Sequence, residues 1–219
     1  MKNTKEKTLV LLMPFTYIFI GVTLIVSYFA FNNTALLHKL IMYPYGMKAP
    51  KEYYRLLTSG FIHADWNHLI FNMFTLYFFG AIVEHVLQGI TGAIAGIALY
   101  IFLYLSSIVV SSLPALIKQK NNSYYRSLGA SGGVSAILFF SIYYFPWSKI
   151  SILFIPIGIP AILFAILYTL YSYYMSKKGM DNIGHDAHLG GGLYGFLFAF
   201  LIDPSHGLMF LQQLLHPQF

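Results

Sequence analysis

Residues 8–31 carry no charged side chain, and five further apolar stretches, at about 66–84, 90–113, 130–145, 150–175 and 187–202, repeat the pattern between short polar loops. About 20 apolar residues reach across the hydrocarbon core of a bilayer. No water is available there to satisfy backbone N–H and C=O groups, so such segments must be helices. The pattern predicts an all-α membrane protein, a six-transmembrane-helix bundle. Charged residues make up only 9% of the 219, against about 25% in a soluble domain. Residues 1–219 read as a single domain, with a core at about 8–203, a first loop at 32–65 carrying short amphipathic helices, and a short semi-apolar tail at 204–219. The first run lacks a small-residue cleavage site and reads as a span. Pro114 is expected to close the third span, Pro146 the fourth and Asp203-Pro204 the sixth, while Pro156 and Pro160 fall in the first half of the fifth. The absence of cysteine excludes disulfides, thiolate metal sites and a cysteine nucleophile. The net charge of +6 sits in loops between spans, which fits lipid headgroups rather than nucleic acid.

Polar groups retained in such spans usually line a functional cavity. Ser131 lies in Gly129-Ala-Ser-Gly-Gly133 at the start of the fourth span, His188 at the start of the sixth, and His68 and Asn72 at the start of the second. Even-numbered spans all begin on one side, so these groups share a side. Ser131 is 15 residues before Pro146, His188 is 15 before Asp203, and His68 is 16 before Glu84. At about 1.5 Å per residue, all three lie roughly 22–24 Å above the far boundary, recessed by roughly 6–8 Å from the near one. Glycines four apart, at 129 and 133, 191 and 195, and 92 and 96, allow helix backbones to approach closely.

A hydroxyl and an imidazole at matched depth are what a serine hydrolase needs, a nucleophile and a base. His68 and Asn72, four apart on one helix face, can donate to an oxyanion, as can the Ser131 amide at a helix start. Taken singly, the glycine-serine motif is also a packing seam and each polar residue also interhelical glue. It is the joint placement that favours chemistry. Asp186, two residues before His188, faces away on a helix, and Asp181 has no obvious place, so the reading is a Ser131–His188 dyad. The metalloprotease motif His-Glu-x-x-His is absent. His185 with His188, or His63 with His68, has no carboxylate placed beside it, so neither a metal nor another cofactor is expected. His85, His206 and His216 read as structural. A transporter using the same cavity would show inverted repeats, and none is visible.

These residues resemble the rhomboid family of intramembrane serine proteases. The similarity rests on His63-Ala-Asp-Trp-Asn-His68-Leu-Ile-Phe-Asn72, on Gly129-Ala-Ser131-Gly132, and on Ala187-His188-Leu-Gly-Gly191-Gly-Leu-Tyr-Gly195, in matching order and spacing from about Tyr54 to Asp203. The resemblance implies that Ser131 is the nucleophile and His188 the base, with His68 and Asn72 in the oxyanion hole. It implies that Arg55 stabilises the first loop, and it matches Glu84 to an acidic residue at the inner end of the second helix. The substrates it implies are transmembrane proteins. Some members carry an aromatic residue four positions after the nucleophile, beneath the base. Here that position is Ser135, so stacking is not expected to hold His188 and some other contact has to. Ser59 likewise stands where some members have a histidine. A non-catalytic member would be expected to lack Ser131 or His188, and both are present.

The resemblance also implies a multi-pass protein of a bacterial cell membrane, with a cytoplasmic amino terminus and a site facing the extracytoplasmic side. Lys2, Lys5, Lys7 and Lys149 then lie inside and the other nine cations outside. A plain positive-inside count gives the reverse orientation. The basic flank of the first span favours the family topology.

Overall fold

The computed structural model describes residues 15–151, 158–178 and 184–217. Helix α1 (Phe15–Phe31) buries Thr16, Phe19, Thr23, Ser27 and Ala30, a three-and-four spacing that marks one helix face. The first loop carries α2 (Thr34–Leu40), capped by the Asn33 side chain, then tight 3₁₀ turns and the four-residue α3 (Arg55–Thr58). Helix α4 (Trp66–Thr91) starts on Asp65, whose carboxylate accepts the His68 N–H at 2.8 Å. It ends on Gly92, where φ of +87° turns the chain directly into α5 (Ala93–Lys118). A side chain at Gly96 would strike the Gln88 backbone, so this hairpin closes only with glycine.

Helix α6 (Ser131–Tyr144) is the centre of the molecule, with 12 of its 14 residues buried. Helices α4, α5 and α8 (His185–Ile202) surround it. The seam between α6 and α8 is backbone on backbone. A Cβ at Gly191 would collide with the Gly132 carbonyl oxygen, and one at Gly195 with that of Ala136. Helix α7 (Ala161–Lys178) packs on α8 from outside and buries fully only Ala161, Ala165 and Ser172. After α8 the chain bends by 120° into α9 (His206–Leu215).

This is a helical membrane bundle. Helices α4 and α5 are each long and apolar enough to cross a bilayer on their own, and α8 with α9 passes the same test as a bent pair. Helices α1 and α6 are shorter apolar helices. Three expectations change. Pro114 lies inside α5. The proline removes one N–H, but the next turn finds its partners, and Gln119 N–H reaches the Ala115 carbonyl at 2.9 Å. Glu84 does not end α4, which continues to Thr91, because its carboxylate is buried and bonded rather than set in headgroups. The depth estimate for His68 therefore loses its lower marker. The first part of the predicted fifth span is a hairpin, β1 (Lys149–Ser151) against β2 (Gly158–Pro160), with Ile150 opposite Ile159. Gly158 and Pro160 stand in that strand, and Pro156 lies outside the described residues.

Candidate active site

Ser131 is the first residue of α6 and is half-buried. The loop ahead of it is clamped to the first loop at three points. Met42 and Ser127 exchange backbone hydrogen bonds at 3.1 Å each, and Gly129 N–H reaches the Ser59 carbonyl at 2.9 Å. Ala130 N–H donates to His63 Nε2 at 3.2 Å. Nε2 therefore carries no hydrogen, and Nδ1–H points to Ser27 Oγ at 3.0 Å. The Ser27 hydroxyl passes its own hydrogen to the Phe61 carbonyl at 3.1 Å. Both nitrogens of His63 are thus committed, which leaves it unsuited to bind a metal. Burial, then the neighbouring His68, holds its pKa down at about 3, against a smaller upward pull from Asp65.

His68 stands edge-on to His63, ring centroids 4.9 Å apart. Gly129, at φ +115°, lies close against the His68 imidazole, and a Cβ there would meet its Cε1 and, at 2.7 Å, its Nε2. This is a position that glycine alone serves, by conformation and by space. Asn72 is buried one turn along α4, with one amide hydrogen donated to the His68 carbonyl at 2.9 Å. An amide has two such hydrogens.

Gly191 seats against Gly132, so His188, one turn earlier on α8, comes to the end of α6 that carries Ser131. The imidazole of His188 is stacked on Tyr168 of α7, centroids 5.5 Å apart and planes 23° from parallel. Tyr168 OH is 2.9 Å from Ser135 Oγ, one turn after Ser131 on the same face. The expectation that no ring would stack on His188 is corrected, because the ring comes from another helix. Asp186 is engaged elsewhere, accepting from Lys118 Nζ at 2.7 Å and from the Ser176 hydroxyl. Asp181 lies outside the described residues.

Ser131, Gly129, Gly132, His63, His68, Asn72, His188 and Gly191 thus gather at one end of the bundle. Gly195 continues the seam one turn further in. Arg55 and Glu84 are not part of the cluster. Arg55 pairs with Glu52 at 2.8 Å and donates to the carbonyls of His38 and Ile41 at 2.6 and 3.0 Å, closing the first loop. Glu84 accepts the N–H groups of Phe15 and Thr16 at 2.9 and 3.2 Å and the Thr16 hydroxyl at 3.2 Å. Thr16 Oγ1 in turn lies 2.7 Å from Tyr100 OH. Sequence reasoning missed Ser27 and Tyr168. Ser27 had a faint signal as a polar residue in a charge-free span, whereas Tyr168 had none among 18 tyrosines.

A buried helix headed by a serine, faced across a glycine seam by a histidine, defines a membrane protein with a polar site inside its bundle. The Rhomboid domain family matches residues 50–205, and the chain belongs to that family. It is 31% identical over 145 residues to RHOMBOID-like protein 12, mitochondrial, of Arabidopsis thaliana, a match covering 62% of this chain and 42% of that protein. It is 30% identical over 162 residues to Rhomboid-like protein 11, chloroplastic, of the same plant, covering 69% and 53%. It is 26% identical over 190 residues to Rhomboid protease GluP of Bacillus subtilis (strain 168), covering 84% and 34%. The matches span between 34% and 53% of the length of these relatives.

Proposed function

We propose that this protein is an intramembrane serine endopeptidase that cleaves other proteins in or beside a transmembrane segment. Ser131 Oγ attacks the scissile carbonyl while His188 takes the hydroxyl proton, then returns it to the leaving amine. Water repeats the sequence on the acyl-enzyme. The His68 ring, the second amide hydrogen of Asn72 and the Ser131 N–H stabilise the oxyanion. No cofactor enters this reading. The observation that carries it is the seating of Gly191 on Gly132, which sets Ser131 and His188 at one end of two helices in backbone contact. The name of the Bacillus subtilis relative, a protease, supports it.

The same reading takes the bundle as six crossing segments, with α1, α6, α7 and α8 joining α4 and α5. It places the chain in a bacterial cell membrane with the site facing away from the cytoplasm. Of the relatives, the two plant proteins are named as mitochondrial and chloroplastic, and GluP comes from a bacterium. Labelling with a fluorophosphonate in detergent, wild type against Ser131→Ala, tests the chemistry. Labelling and cleavage of a transmembrane substrate that both disappear in Ser131→Ala and His188→Ala, with unchanged melting temperatures, are the expected result. An unlabelled wild type, or a Ser131→Ala variant that still cleaves, overturns it.

A further inference from the structure

Two planar rings lie in sequence beside the base. Phe164 stacks on Tyr168 with centroids 5.6 Å apart and planes 18° from parallel, and Tyr168 stacks on His188. The hydroxyl of Tyr168 then meets Ser135 Oγ, which is buried on α6. One side chain therefore touches the base on α8 with its face, and with its tip the helix that carries the nucleophile. A stacked face removes the imidazole's freedom to tilt. A hydrogen bond at the far end of the ring removes the freedom of the ring itself to slide along α6. Residue 135 could have supplied a ring from α6 directly, but it holds a serine that serves instead as anchor for a ring from α7.

We propose that Tyr168 is the positioning residue for His188, aligning the imidazole towards Ser131 through its stacked face and its hydroxyl bond to Ser135. This rests on the dyad reading above. Tyr168 does not touch the reacting atoms, so its loss acts on the chemical step more than on substrate binding. A small misplacement of a catalytic group costs up to about 10²-fold in rate.

The test measures kcat and KM on a fluorogenic transmembrane peptide, with fluorophosphonate labelling of Ser131 in parallel. Tyr168→Leu keeps bulk without a planar face and should lower kcat by about 10²-fold with KM within about twofold. Tyr168→Phe keeps the stack and should cost far less. Ser135→Ala should match it, and the two together should cost no more than either, because both remove the same bond. The decisive variant is Ser135→Phe combined with Tyr168→Leu, which brings a ring from α6 and should restore much of the lost kcat. A wild type that neither labels nor cleaves defeats the dyad reading itself. An active wild type with undiminished kcat in Tyr168→Leu, or a change in KM alone, overturns the positioning role. Should Tyr168→Leu fail to fold, full additivity of Tyr168→Phe and Ser135→Ala overturns it instead.

Discussion

The imidazole of His63 accepts the backbone N–H of Ala130, 67 residues further along the chain, at 3.2 Å. That bond sets the residue immediately before Ser131, and it exists only while Nε2 is unprotonated. The Ser27 hydroxyl fixes the ring from the other side by taking the Nδ1 hydrogen. Three separate segments, α1, the first loop and the head of α6, thereby meet on one neutral side chain.

Acid should weaken this junction in a defined window. In the folded protein His63 holds its pKa down at about 3, while in the unfolded chain it protonates near its ordinary value of about 6.5. Between those values the unfolded state binds the extra proton. The contribution is fully present above about pH 6.5 and is lost as pH falls towards 3, by about 1.4 kcal/mol per unit. Asp65 and His68, the charged and titratable neighbours, lie beside it. Denaturant unfolding of His63→Leu should show a lower stability at pH 7 and a pH slope shallower by about one proton across that window. An unchanged slope would remove His63 as the cause.

Glu84 should matter for stability rather than turnover. Glu84→Ala strands the N–H groups of Phe15 and Thr16 in an apolar setting, at a cost of about 2–3 kcal/mol. The denaturation midpoint should fall, with kcat unaltered at temperatures where the variant remains folded.

Gly191→Ala should reduce turnover by about 10²-fold, since α8 must retreat from the Gly132 carbonyl and carries His188 with it. Gly21→Ala is the control. Nothing lies within 4 Å of a Cβ there, and removing a mid-helix glycine should leave activity intact and add up to about 1 kcal/mol of stability.

Asn72→Ala and His68→Ala should each lower kcat by about 10²–10³-fold without eliminating it, the usual effect of losing one oxyanion donor. Equal rates in wild type and both variants would reduce the pair to packing residues.

Sidedness can be read with single cysteines, because the chain has none of its own. Ser123→Cys, ahead of α6, should react with an impermeant maleimide in intact bacteria expressing the protein. Ser148→Cys, beyond the other end of α6, should react only after lysis. Both positions are exposed. The opposite pattern would establish the orientation given by the charge count.

The helices were legible wherever apolarity was uninterrupted, and the α6–α8 seam was legible in glycines four apart. The reading failed where one residue had two possible meanings. A charge normally marks a membrane boundary, but Glu84 is buried because two helix-start N–H groups and a hydroxyl satisfy it. A proline normally stops a helix, but Pro114 is carried within α5. The hairpin at Lys149–Ser151 and Gly158–Pro160 escaped notice because apolar strands and apolar helices have the same composition over so few residues. Tyr168 was invisible for a different reason. Its partners, 20 and 33 positions distant, become neighbours only through the packing of three helices.

The seam between α6 and α8 leaves no slack. With Gly191 on one carbonyl and Gly195 on another a turn below, neither helix can slide or roll past the other without a steric collision. The two therefore behave as one keyed shaft. Any opening that admits a lipid-embedded chain has to be borne by helices outside this joint, such as α7, which has only three fully buried residues.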